Sequence, residues 1–209
     1  MMNNISYLPS EDRTVESVFY DLPVLLISND QGQYYVPSLG VNSIDAAGGM
    51  TPGEGYSVFI EGSSAVDLIY GESVNLSSTS SFDYGNYDET ITKSYKDLVV
   101  PTGISYPIII TEISGEVSLG DELVAYANGQ VVGATRIADL SAPIVLTAWS
   151  GFHSYGVDLD GYTKGDFIDL RLYSVKEGKE LMVTADLDYN KYEGGVFSSG
   201  TATASDMLV

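Results

Sequence analysis

Residues 120–137 read GDELVAYANGQVVGATRI, two strand-favouring runs joined by Asn128-Gly129. An Asn-Gly pair tolerates the positive φ needed at both centres of a type I′ turn, and that turn commits its flanks to antiparallel pairing. The segment reads as a plain β-hairpin. The same grammar recurs along the chain as short apolar runs bounded by Gly, Pro, Asn, Asp or Ser. VLLISNDQGQYYVP reads as strand, turn and strand. MTPGEGYSVFIEG places a Pro-Gly turn before a strand with Tyr56, Val58 and Ile60 on one face, and AVDLIYGE supplies another. Further along, YPIIITEISGE is a β-branched run suited to burial on both faces. IVLTAWS follows, then DGYTKGDFIDLRLYS, in which Phe167, Asp169 and Arg171 oppose Ile168, Leu170 and Leu172. KELMVTADLDY completes the series.

One segment has a different period. After a short first strand at NISYLP, TVESVFYDL sets Val15, Val18, Phe19 and Leu22 on one helical face. Asp12 or Thr14 caps it and Pro23 ends it. The chain is therefore expected to be mainly β. Residues 1–76 form a small β-rich unit carrying one short helix, and 77–103 a linker or long connection. Residues 104–209 form a β-sandwich of jelly-roll or immunoglobulin-like style. The C-terminal GGVFSSGTATASDMLV reads as an edge strand or a tail that packs on a neighbour. With the 77–103 connection, it is the expected place of contact between subunits.

Charge narrows the function. Twenty-nine acidic side chains against nine basic ones leave a net −20, which repels nucleic acid phosphates and anionic membranes. Neither is an expected partner. The absence of cysteine excludes disulfides, thiolate catalysis and cysteine zinc sites. No apolar run reaches the length of about 18 residues that a membrane helix needs. The opening MMNNISYLPSEDR has neither the basic start nor the apolar centre of a secretory signal, so export by that route is not expected.

Chemistry-bearing patterns are sparse. The single histidine, His153, lies in AWSGFHSYG, but no Gly-x-Ser-x-Gly elbow exists to pair with it, and it reads as a loop histidine. No catalytic residues are assigned, and an enzyme is not expected. VDLDGYTKGD offers Asp158, Asp160 and Asp166, which resemble part of a calcium loop but lack its further ligands and closing glutamate. An Asp-Gly turn whose side chains bond their own backbone is the preferred reading, and calcium is the one cofactor the pattern raises. Tyr34, Tyr35, Tyr84, Tyr87, Trp149, Phe152 and Tyr155 are flat rings of the type that stack on sugars, though strand tyrosines mostly serve packing. Trp149, Phe152, His153 and Tyr155, close together in sequence, are the candidate ligand or partner contacts.

A family resemblance adds to this. ISYLPSEDRTVESVFYDL, Tyr35-Val36-Pro37 and Pro52-Gly53-Glu54-Gly55-Tyr56 resemble the first part of repeats in large secreted surface proteins of Bacteroidetes-type bacteria. Gly120-Asp121-Glu122, Asn128-Gly129 and Val132-Gly133-Ala134, with Asp160-Gly161-Tyr162 and Gly165-Asp166, resemble the partner module. Similar modules occur in virion structural proteins of marine tailed phages. The Trp-Asn pair that usually opens the bacterial repeats is missing, as are the signal and sorting domain of their long chains. The resemblance therefore implies a non-enzymatic phage virion protein: a capsid decoration, head-fibre or tail-associated subunit on the particle exterior. Its partners would be other virion proteins or copies of itself. The alternative it implies is an extracellular adhesion or carbohydrate-binding module of a bacterial cell surface.

Overall fold

In the computed structural model, β-branched and aromatic runs pair as strands while Gly, Pro, Asn and Asp take the connections. The structure describes residues 2–61, 65–70, 94–188, 197 and 202–209. Two compact units divide the chain, Met1–Asp83 and Tyr84–Val209.

The first unit contains β1 (Met2–Ser6), α1 (Val15–Val18), β2 (Val24–Asn29), β3 (Tyr34–Val36), β4 (Val41–Asn42), α2 (Ser43–Ala46) and β5 (Gly55–Ile60). Its strands form an antiparallel sheet in the order β1-β5-β2-β3-β4. Tyr56 and Val58 point into the core beside Tyr7, Val15, Phe19, Ile27, Ile44 and Met50. The expected helix shrinks to a single turn. Thr14 caps it, its Oγ1 accepting from the Ser17 N–H at 3.3 Å, but the chain leaves helical geometry at Phe19. Asp21 then adopts a left-handed φ of 62° ahead of Pro23. Apolar spacing over TVESVFYDL thus reports a one-sided burial that a turn satisfies as well as a helix. A second short helix, α2, was not foreseen. Asn42 caps it by accepting from the Asp45 N–H at 3.0 Å, and Asp45 in turn accepts from the Val15 N–H at 2.6 Å. Asp45 therefore holds two helix starts together. Residues 65–70, expected as a strand, have no regular structure; Tyr70 instead donates to the Ser6 carbonyl at 2.8 Å and meets the Tyr7 ring edge-on.

The second unit contains β6 (Ser105–Ile110), β7 (Ile113–Ser114), β8 (Glu122–Ala127), β9 (Gln130–Arg136), β10 (Ile144–Trp149), β11 (Phe152–Ser154), β12 (Val157–Leu159), β13 (Asp169–Ser174), β14 (Lys179–Met182), β15 (Thr184–Asp188) and β16 (Ala202–Leu208). The sandwich expectation is overturned here. Instead of two sheets packed face to face, nine of the unit's eleven described strands make one ladder, β14-β13-β8-β9-β10-β6-β16-β15, with β7 added beside β16. The ladder stays open, its edges being β14 and β15. The KELMVTADLDY run is split between those edges, since it pairs with β13 up to Met182 and with β16 from Thr184 onward. The C-terminal segment is no edge strand. β16 enters the interior of the ladder, parallel to β6 and antiparallel to β15. Local patterning shows that strands form; which ones pair is set by contacts far apart in sequence.

One face of this ladder carries the core. Leu123 and Ala125 of β8, Leu170 and Leu172 of β13, Leu146 and Ala148 of β10, and Tyr106, Ile108 and Ile110 of β6 join one buried cluster. Removing each large side chain of this kind from water contributes about 1.5–3 kcal/mol. Two Gly-Asp turns close the cluster in the same way. Gly120 N–H donates to the Ile137 carbonyl and Ile137 N–H to the Asp121 carbonyl, both at 2.8 Å. Gly165, Phe197 and Asp166 repeat that pattern at the same distances. Ile137 and Phe197, the residues so clasped, are both fully buried.

The passage from β9 to β10 rests on one residue pair, Gly133 against Ala148. A Cβ at Gly133 would overlap the Thr147 carbonyl. Gly133→Ala is expected to lower stability by about 1–3 kcal/mol, read as an earlier urea midpoint. An unchanged midpoint would show that β9 can draw back from β10 without cost.

Candidate functional site

β11 and β12 form a hairpin that pairs with no other described strand. Its register sets Phe152 against Leu159, His153 against Asp158 and Ser154 against Val157. The turn is Tyr155-Gly156, with φ of 53° and 78°, the two positive values of a type I′ turn. Gly156 suits its place. Tyr155 does not, because a bulky side chain in the left-handed region costs roughly 1–2 kcal/mol. Its ring is also 97% exposed, so no packing within the described residues offsets that cost. Packing among the described residues therefore does not account for the strain at Tyr155.

The hairpin's base is anchored. Gly151 N–H donates to the Tyr162 carbonyl, and Tyr162 N–H to the Trp149 carbonyl, each at 2.9 Å. The Tyr162 ring lies in the core, stacked on Phe197 at 4.2 Å between centroids and edge-on to Tyr106. Gly161 approaches the Ser150–Gly151 backbone too closely for any side chain. The fold thus carries the projecting strand pair on a buried aromatic base.

The four residues expected to act together are separated by burial. Trp149 is 5% exposed and forms the buried end of β10, so it presents no face for a sugar to stack on. Phe152 is half-buried, while His153 and Tyr155 face solvent. His153 pairs with Asp158 through Nδ1 and Oδ1, its hydrogen-bond partner among the described residues. Of the other rings, Tyr34 is buried and Tyr35 half-buried; Tyr84 and Tyr87 lie outside the described residues. The aspartates do not converge either. Asp158 serves His153, and Asp166 accepts from the Thr163 N–H at 2.7 Å within its own turn. Among the described residues no three His, Cys, Asp or Glu side chains are grouped to hold a metal ion.

A second cluster was not foreseen, because its members are far apart in sequence. On the face of β8 opposite the core, Glu122 is only 2% exposed and accepts from Ser94 Oγ at 2.6 Å, the Tyr95 N–H at 2.7 Å and Arg136 Nη2 at 3.2 Å. A buried charge with three donors is satisfied. It also fixes residues 94–95, at the start of a 3-10 turn over Tyr95–Leu98, inside a stretch expected to be linker. Residues 77–93 of that connection lie outside the described residues. Alongside, Arg171 donates to Asp169 at 2.8 Å and to Glu180 at 2.9 Å, with its guanidinium 4.4 Å from the Tyr126 ring centre. Tyr126 donates its hydroxyl to the same Glu180. Alternation along DLRLYS foretold that Arg171 and Asp169 share a face, but not the partners on β8 and β14.

Chemically this cluster is a clasp. Its carboxylates are neutralised by arginine, and burial followed by the Glu180 carboxylate drives the Tyr126 phenol well above its usual range. Burial alone would raise Glu180, but hydrogen bonds from Tyr126, Arg171 and Tyr95 bring its carboxyl below the ordinary glutamate value. A depressed carboxyl contributes stability that is complete above the unfolded value and is lost as pH falls through the folded one. The difference in urea midpoint between the wild type and Glu180→Gln should therefore shrink across that acidic window. A difference independent of pH would mean that the carboxylate charge is not what holds the clasp.

No helix among the described residues is long and apolar enough to cross a membrane. No protein-family model matches the chain, and neither does any curated protein or solved structure.

Proposed function

We propose that this chain is a non-enzymatic structural protein of a phage particle, carried on the exterior and acting through protein–protein contacts. The observation that carries this reading is Tyr155, a strained and solvent-facing aromatic at the tip of an anchored hairpin. Aromatic side chains are the residues most enriched at the centres of protein interfaces, where their large area is desolvated at small entropic cost. Val157 on the same hairpin is exposed too, extending the apolar surface. The net charge of −20 favours the outside of a particle over contact with packaged nucleic acid. The module resemblance supports the same placement. Partners on this reading are other virion proteins or further copies of the chain.

Mass spectrometry of purified particles is the direct test. The expected result is the chain in stoichiometric copies relative to the major capsid protein, and its absence from particles would overturn the reading. Tyr155→Asn separates contact from fold. It installs the favoured Asn-Gly turn, so stability should hold or rise by about 1 kcal/mol. Incorporation into particles should fall sharply. Unimpaired incorporation would remove Tyr155 from the contact.

A further inference from the structure

In the first unit, the turn that ends α1 and the start of β2 frame an open recess of about 350 Å³. Phe19, Tyr20, Leu22, Pro23, Tyr35 and Pro37 supply apolar and aromatic wall. Phe19 is buried and forms part of the core, while Tyr20 is 61% exposed. Two prolines and the bonds Leu22 N–H to Phe19 carbonyl (3.1 Å) and Glu61 N–H to Pro23 carbonyl (2.8 Å) fix the walls. The recess is preformed, so an occupant would bind without first ordering the walls.

The charge around it is one-sided. Glu16, Asp21 and Glu61 also line the recess, and none of the three forms an ion pair among the described residues. The whole stretch 1–83 holds eleven carboxylates against one arginine, Arg13, and no lysine. The field is felt by the wall itself: the Tyr35 phenol is raised by burial and then by the negative charges of Glu16 and Asp45.

We propose that this recess docks an arginine side chain of a protein partner. A guanidinium is flat, weakly hydrated and always charged, so it stacks on exposed tyrosine while its N–H groups reach carboxylates. A lysine ammonium, compact and strongly hydrated, gains less from the aromatic wall. A neutral apolar side chain would leave three carboxylates uncompensated beside it. The site goes beyond the role proposed for Tyr155 and involves none of its residues.

The test uses the isotopically labelled whole chain, followed by amide chemical shifts while N-acetyl-arginine amide is added. Saturable shifts are expected at residues 16–22, 24, 35–36 and 61, weakening as salt is raised. N-acetyl-citrulline amide, the neutral isostere, should bind about tenfold more weakly, and Tyr20→Ala should weaken arginine binding severalfold. Tyr20 is exposed, so that variant keeps the fold; Glu61→Gln probes the charge separately. Equal shifts with citrulline, shifts scattered over both units, or no saturation would overturn the proposal. The same shifts produced by calcium chloride alone, and abolishing the arginine response, would reassign the recess to a metal ion. Because the probe is a free amino acid derivative, failure here leaves particle incorporation standing, and failure of incorporation leaves this site standing.

Discussion

The second unit's ladder passes from β9 to β10 where Gly133 faces Ala148. Strands on one side of that point, β14, β13, β8 and β9, and those on the other, β10, β6, β16 and β15, share a buried face because the two backbones come this close. A side chain at residue 133 would force them apart. The core beneath, from Leu172 and Leu123 through Leu146 to Ile108, depends on that approach, since close packing tolerates little added volume. Glycine is needed there for its lack of a Cβ, not for an unusual φ.

Around this joint the chain repeats one device. Each Gly-Asp turn exchanges two backbone hydrogen bonds with a single buried apolar residue, Ile137 in one case and Phe197 in the other. The aspartates complete the turns with their own side chains: Asp121 accepts from Ser118 and Val175 N–H groups, Asp166 from Thr163. Of the three aspartates that resemble part of a calcium loop, Asp166 closes such a turn, whereas Asp158 pairs with His153 across the hairpin. Phe197 then stacks on Tyr162, and Tyr162 anchors the hairpin that ends in Tyr155. A buried turn and an exposed hairpin tip are linked through one aromatic stack.

The two units differ in how they handle charge. In the second, Glu122, Asp169 and Glu180 are matched to Arg136 and Arg171, so the carboxylates become part of the fold. In the first, a lone arginine cannot neutralise eleven carboxylates, and Glu16, Asp21 and Glu61 are left around an aromatic recess. Internal pairing makes a clasp, whereas unmatched charge beside apolar wall makes a surface suited to a cation.

Hairpin chemistry was legible residue by residue. Asn128-Gly129 specified its turn because few other pairs accept two positive φ values, and alternation in DLRLYS specified which side chains reach the core. The burial of β6 on both faces followed from its β-branched run. These are properties of neighbouring residues, and local sterics decide them. Tyr155-Gly156 adopts the same turn without the same signal, since nothing local favours tyrosine at positive φ. Nor did the sequence reveal that β16 threads between β6 and β15, that Glu122 collects Ser94, Tyr95 and Arg136, or that Trp149 is buried while Tyr155 is not. Each of those outcomes depends on strands distant in the chain being brought side by side. By itself the sequence determined where strands form and which face of each is apolar; tertiary structure alone decided which strands meet, because pairing is governed by the burial that the whole ladder achieves and not by any one strand's preference.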